Sequence, residues 1–293
     1  AWAVGQPARF DAALLLLNAL MDAVILAVLA ATWGPASAAV FLVLSVPILS
    51  LELFRMDLWS TAMATAAVAL WIRKRPIGCA LVLCMAAALK LWPLTLAGLL
   101  FPGSGPSWSR HALTTCLAVN AIALGVWIGL VGLGGVAQVV TFRGATGWDI
   151  ESTVGSVWRA FAPGSMRMES GALRVGWNTP MTAMLLALVS GPLAVRYAWR
   201  GARIGQLGAG WVVSVATMLS CSALFSPQFL AWMLPGAAIA WAEKNRRVAV
   251  YVGTLVSLTV LYRVLHTQQM PSLVLLRNGL LIAGAVWIVP RRR

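Results

Sequence analysis

The sequence predicts an all-α fold, a polytopic bundle of membrane-spanning helices, on three observations. Of its 293 residues 60% are hydrophobic and only 10% charged, against roughly 45–50% apolar and 25% charged in a soluble domain. Mean hydropathy is +0.85. The apolar residues fall in long runs and lack the period-two alternation of a barrel strand. A water-soluble globule is therefore excluded, and a single membrane domain over 1–293 is expected.

The formal net charge of +14 would suggest nucleic acid in a soluble chain. Here the Lys and Arg residues sit in short clusters between apolar runs, and no basic face with interleaved stacking aromatics appears. Nucleic acid is thus not expected as a partner, whereas a lipid bilayer is. Cys79, Cys84, Cys116 and Cys221 lie inside apolar runs without metal-ligand spacing, and read as small buried hydrophobes. No metal and no cofactor are expected. The opening AWAVGQPARF has no basic stretch before a short apolar core, so no signal peptide is read, and a processed chain or fragment is expected.

Nine runs can cross a hydrocarbon core, some only if the bilayer thins locally. They are Asp11 to Thr32, Ser37 to Leu53, Asp57 to Ile72, Ala112 to Val131, Thr179 to Tyr197, Leu207 to Phe225, Gln228 to Trp241, Val248 to Leu265 and Ser272 to Val289. A tenth, 76–101, is broken at Lys90-Leu91-Trp92-Pro93. Orientation follows from the clusters Arg73 to Arg75, Arg110, Arg196/Arg200/Arg203, Lys244/Arg246/Arg247 and Arg291 to Arg293. These hold thirteen of the 22 basic residues and face only one acid, Glu243. Lys and Arg are retained on the cytoplasmic side, so that side carries these clusters.

A requirement follows for 76–101. Arg75 and Arg110 lie on the same side, so the chain between them must enter and return. Pro93 lacks an N–H and disfavours helix at Trp92, so a re-entrant or short-helix hairpin with Lys90 at its outward tip is expected. Arg55 and Asp57 fall at the outer boundary, and the outer loop is 142–178. Gly125 and Gly129 are spaced for close helix packing. The GLGGVA at Gly132 to Ala137 mimics a dinucleotide fingerprint, but it follows a membrane helix and not a strand.

The polar residues on the outer side are the candidates for chemistry. In LELFRMD, Glu52, Arg55 and Asp57 can hold an anionic headgroup or a sugar hydroxyl, or can form an ion pair capping two spans. Lys90 within a span needs a partner or cavity, such as a phosphate, or must snorkel to the interface. Glu151, with Ser152, can accept a proton or bind a hydroxyl, or can be a solvated loop acid. Arg263 and His266 can stabilise a leaving phosphate or be structural. Gln228 in FSPQF can touch a ligand or simply start a helix after Pro227.

Three segments taken together, FRMDLWSTAMATAAVALWIRKRPIGCALVLCMAAALKLWPLTLAGLLF, GWDIESTVGSVW and LFSPQFLAWMLPGAA, resemble glycosyltransferase family 87 of the GT-C superfamily. The Arg-x-Asp, the Lys-x-x-Pro break, the Glu-Ser pair and the Ser-Pro-Gln-Phe turn stand in that family's order, over about Asp11 to Ala238. The resemblance implies a GT-C-like bundle in the plasma membrane, with Arg55, Asp57, Lys90, Glu151 and Gln228 near a site on the extracytoplasmic face. It implies an inverting hexosyltransferase moving a sugar, commonly mannose, from a polyprenyl-phosphate-linked donor to a glycolipid or cell-envelope polysaccharide acceptor. It also implies one further helix and an outer loop with the catalytic base ahead of Ala1, so the chain is expected to be N-terminally truncated and no base is assigned. A transporter or lipid flippase is the rival class, since it too uses intramembrane charge and broken helices. A third reading is a non-catalytic relative that binds the lipid donor.

Overall fold

The computed structural model describes residues 7–52, 55–105, 108–140, 145–162, 166–265 and 271–290. These form an all-α bundle with a small sheet on one end. The helices are α1 (Pro7–Trp33), α2 (Pro35–Ser45), α3 (Leu49–Glu52), α4 (Asp57–Ile72), α5 (Pro76–Leu89), α6 (Arg110–Val140), α7 (Thr153–Phe161), α8 (Pro180–Arg203), α9 (Leu207–Ser220), α10 (Leu234–Ala242), α11 (Arg246–Val264) and α12 (Pro271–Trp287). Pro35, Pro76 and Pro180 each stand in the first turn of their helix, where the missing N–H would have had no intrahelical partner.

One end of the bundle gathers the basic clusters. Three helices end there in the same motif: Arg75 N–H donates to Leu70 and Lys74 to Trp71, Gln206 to Gly201 and Gly205 to Ala202, Asn245 to Ala240 and Lys244 to Trp241. This paired closure takes up the last free carbonyls and needs one left-handed residue. That residue is Lys74 (φ 57°), Gly205 (φ 70°) and Lys244 (φ 61°) respectively. At the same end Arg73 reaches Thr32 at 3.4 Å, and the indoles of Trp71 and Trp199 donate to the carbonyls of Leu99 (3.0 Å) and Pro102 (2.8 Å). Glu243 is half-buried there, its carboxylate accepting the N–H groups of Leu207 and Gly208 at 2.8 and 3.0 Å. Burial pushes that carboxyl up to about 7, against the lowering effect of the two N–H bonds. Arg291 to Arg293 lie outside the described residues.

The break expected in 76–101 is present. After α5, Lys90 is extended (φ −154°, ψ 141°), and a 3-10 helix at Trp92–Leu100 runs back toward the basic end. It packs between α5 and α8. Gly98 sets the approach to α8, since a Cβ there would stand 2.2 Å from the Val195 carbonyl oxygen and 2.6 Å from the Trp199 nitrogen.

The run Gln228 to Trp241, read as one span, is instead a second 3-10 helix (Pro227–Met233) continuing into α10. Its Pro lies in the first turn, and the narrower winding lets it fit the most buried part of the bundle beside α9, α4 and α11. The described residues of 142–178, expected as an outer loop, are folded as well. Strands β1 (Trp148–Asp149), β2 (Arg167–Glu169) and β3 (Ala172–Val175) form an antiparallel sheet in the order β1-β3-β2, with α7 packed against it.

Two further expectations are corrected. Gly125 and Gly129 face open space, so they seat no neighbouring helix. Cys221 is only half-buried, while Cys79, Cys84 and Cys116 are buried as expected. In α6 Gly132 is not helical (φ 70°, ψ 177°) and kinks the helix.

Among the described residues, four helices are long and apolar enough to cross a membrane: Phe10–Trp33, Arg110–Val136, Met181–Arg203 and Arg246–Val264. They expose large apolar side chains, including Leu16, Leu130 and Val189. The remaining apolar helices are shorter; α4, with 16 residues, spans about 24 Å.

Gly98→Ala should force the 3-10 helix away from α8 and cost about 1–3 kcal/mol. Thermal unfolding of the detergent-purified variant, read by near-ultraviolet circular dichroism, checks this; an unchanged midpoint would contradict the close contact.

Candidate functional site

At the end opposite the basic clusters two ion-pair centres tie helices together, apart from the Arg167–Glu169 pair within the sheet. The first is built on Lys90 and Asp57. Asp57 opens α4, where the N-terminal partial positive charge favours a carboxylate, and it is 1% exposed. The extended backbone at Lys90 turns its side chain back toward α4, and its Nζ lies 2.6 Å from Asp57 Oδ1. The same oxygen accepts the indole N–H of Trp232 at 2.8 Å. A carboxylate withdrawn from water persists only if its charge and lone pairs are met. Here one ammonium and one indole meet them.

Aromatic rings enclose the ammonium. Lys90 Nζ is 5.1 Å from the Phe229 ring centroid and 5.4 Å from that of Trp232, within cation–π range. Phe229 stacks on Trp232 at 4.3 Å, and Trp232 on Trp92 at 5.4 Å. Trp92 is fixed by its bond to Ser60 Oγ (3.0 Å). The two 3-10 helices thus meet through the indoles of Trp92 and Trp232, and Trp211 of α9 donates to the carbonyl of Trp232 (2.7 Å). The Lys90 side chain keeps 31% of its surface exposed.

The second centre surrounds Glu151. Its Oε2 pairs with Arg277 at 3.3 Å and its Oε1 with Arg263 at 3.4 Å. Arg277 also donates to the Glu151 carbonyl at 2.6 Å, and Asn278 donates to the carbonyls of Glu151 and Ser152 and to Ser156 Oγ. Ser152 caps α7, its Oγ accepting the Gly155 N–H at 3.1 Å. Arg277 is fully buried, with its guanidinium 4.1 Å over the Phe225 ring. Thus α12 clamps the start of α7, and neither oxygen of Glu151 is a free base.

Next to it, Asp149 Oδ1 accepts the Glu151 N–H at 2.7 Å. Burial pushes the Asp149 carboxyl up to about 7; the Glu151 N–H lowers it, the Glu151 charge raises it, and Arg174 and Arg277 lower it. The Asp149 N–H donates to Ala223, tying the sheet to the segment before the Ser-Pro-Gln-Phe turn. That turn joins the two centres, because Phe225 lies under Arg277 and Phe229 under Lys90.

Of the residues singled out from the sequence, Lys90 and Asp57 meet, and Arg263 and Glu151 meet. Gln228 is nearly buried in the turn and bonds to Ser226 Oγ. Arg55 is exposed and joins neither centre among the described residues. His266 and the side chain of Glu52 lie outside the described residues. Trp232, Arg277, Asn278 and Asp149 were not foreseen. Arg277 carried a signal, since a lone Arg in PSLVLLRNGLL demands a partner as Lys90 does; Trp232 carried none. No group of three potential metal ligands occurs among the described residues.

Comparison with protein-family models, with curated proteins and with solved structures finds no match to this chain.

Two outcomes are expected. In a double-mutant cycle of Lys90→Met and Asp57→Asn, measured by unfolding in detergent, the pair should show a coupling of about 1–3 kcal/mol; additive effects would mean that the contact contributes nothing. Asp149, ordinarily near 3.8, holds its proton when folded up to about 7. The folded state therefore binds more protons in that window, and docking of α7 should weaken as pH rises from about 4 to about 7 and level off above. Hydrogen exchange of α7 amides, corrected for intrinsic rates, should show this trend in the parent and not in Asp149→Asn.

Proposed function

We propose that the chain is a plasma-membrane hexosyltransferase of the GT-C type, resembling glycosyltransferase family 87. In this reading it moves a sugar, with mannose the first choice, from a polyprenyl-phosphate donor to a glycolipid or cell-envelope polysaccharide on the extracytoplasmic face. Membrane residence is supported by the exposed apolar faces of α1, α6 and α8, which in water would form a patch far larger than a soluble monomer carries. The basic end is then cytoplasmic by the retention of Lys and Arg, which puts both ion-pair centres outside.

The observation that carries the transferase reading is the partly exposed Lys90 side chain, its ammonium over Phe229 and Trp232 at the break of a helix. In the reaction the acceptor hydroxyl oxygen attacks the anomeric carbon, the bond from that carbon to the phosphate oxygen breaks, and the phosphate leaves with the electron pair. The hydroxyl proton passes to a base that we do not assign, and the single displacement inverts the anomeric centre. Lys90 stabilises the charge growing on the leaving phosphate. Asp57 and Trp232 position Lys90, the buried rings of Phe229 and Trp232 hold its ammonium, and exposed Arg55 is free to meet the phosphate from the rim.

A transporter or flippase is the second reading, favoured by one observation. Two helices that begin at Pro and wind as 3-10 segments, Trp92–Leu100 and Pro227–Met233, enter from the same end and stack Trp92 on Trp232. Paired interrupted helices are a feature of transporters.

Native membranes supplied with a polyprenyl-phosphate donor labelled in its sugar separate the two. Covalent transfer of label to an acceptor is expected, falling about 10²–10³-fold in Lys90→Met and less in Lys90→Arg. Label that crosses the bilayer still attached to its lipid would favour the transporter, and unchanged transfer in folded Lys90→Met would remove Lys90 from the site.

A further inference from the structure

We propose that a groove at the basic end, between Phe101-Pro102 and α8, binds an anionic phospholipid of the facing leaflet. The proposal rests on the reading of the chain as a membrane protein, but not on its being a transferase. The cavity is ≈ 680 Å³ and is lined by Phe101, Pro102, Pro192, Val195, Arg196 and Trp199, a size in the range of small-molecule sites. Residues 192, 195, 196 and 199 follow helical spacing, so α8 presents them as one face. The wall is almost wholly apolar, Arg196 lining it with its aliphatic stem.

The headgroup end is organised. The Trp199 indole is held by its bond to the Pro102 carbonyl at 2.8 Å, and the Arg203 guanidinium lies 5.3 Å from the Trp199 ring centroid. Arg196, Arg200 and Arg203 are all exposed. None of them forms an ion pair with a described acid, and the nearby acid, half-buried Glu243, has its carboxylate on the Leu207 and Gly208 N–H groups.

Charge complementarity therefore selects the occupant. Guanidinium forks match phosphate oxygens, the Trp ring suits the headgroup level, and the apolar wall takes the first acyl carbons. Basic pockets between helices on this side of a membrane attract anionic headgroups. A zwitterionic lipid would bring its ammonium against the same Arg residues and is disfavoured.

The test uses the full chain reconstituted in phosphatidylcholine bilayers, titrated with brominated phosphatidylglycerol or brominated phosphatidylcholine. Stronger quenching of Trp fluorescence by the phosphatidylglycerol is expected, and this excess should vanish in Trp199→Phe. In Arg196→Gln/Arg203→Gln, with both changes on the surface, the concentration for half-quenching should rise about 25-fold, at roughly fivefold per Arg. Equal quenching by the two lipids, or an unmoved half-quenching concentration in the double variant, overturns the proposal. So does loss of the excess on adding inorganic phosphate, which would make the site one for the free anion. Resistance to alkaline extraction from phosphatidylcholine vesicles is scored separately. Failure there removes the membrane reading and this proposal with it, whereas insertion without lipid preference removes this proposal alone.

Discussion

A charged group inside an apolar bundle must find its counter-charge, and the rest of this architecture depends on how that demand is met at Lys90 and Asp57. The two residues are far apart in sequence, yet their side chains meet at 2.6 Å. The contact requires α5 to stop at Leu89, the backbone at Lys90 to extend, and α4 to begin at Asp57. Trp232 completes the carboxylate from a third element. Removing Lys90 would strand the buried Asp57 carboxylate where water cannot compensate it.

The same constraint recurs at the Glu151 centre, where the burden falls on a buried Arg. Arg277 lies within an apolar helix, so its guanidinium must be fully served, and Glu151, Asn278 and the face of Phe225 serve it. In doing so it fastens the folded outer segment to the helices. The Phe225 to Phe229 turn lies under both cations, which makes it the mechanical link between the two centres. A ligand that displaced Lys90 from Phe229 would act directly on the segment that supports Arg277.

Much of the fold was legible, for local reasons. Asp57 as the start of α4 follows from an acid ahead of an apolar run, and the break after Leu89 follows from Pro93 and the cost of Lys90 in a span. The clusters that mark one end were visible as charges between apolar runs. The second 3-10 helix was not legible, because an apolar run starting with Pro reads the same in either winding. Strands of two to four residues are too short for a period-two pattern, so the sheet around Trp148 and Val175 was read as loop. Gly125 and Gly129 had the spacing of a packing motif but no partner, and spacing alone does not supply one.

What the sequence determined by itself was which long apolar segments are helical, where the charges cluster and which polar residues needed partners. Those are properties of composition and of neighbours along the chain. The tertiary structure decided who the partners are: Lys90 with Asp57 and Trp232, Glu151 with Arg263 and Arg277, Glu243 with the amides that open α9. Pairings across such separations depend on how helices pack, and packing is set by close approaches such as Gly98 against α8. A guanidinium or carboxylate states only that a counter-charge is required, and the three-dimensional fold selects the one within reach.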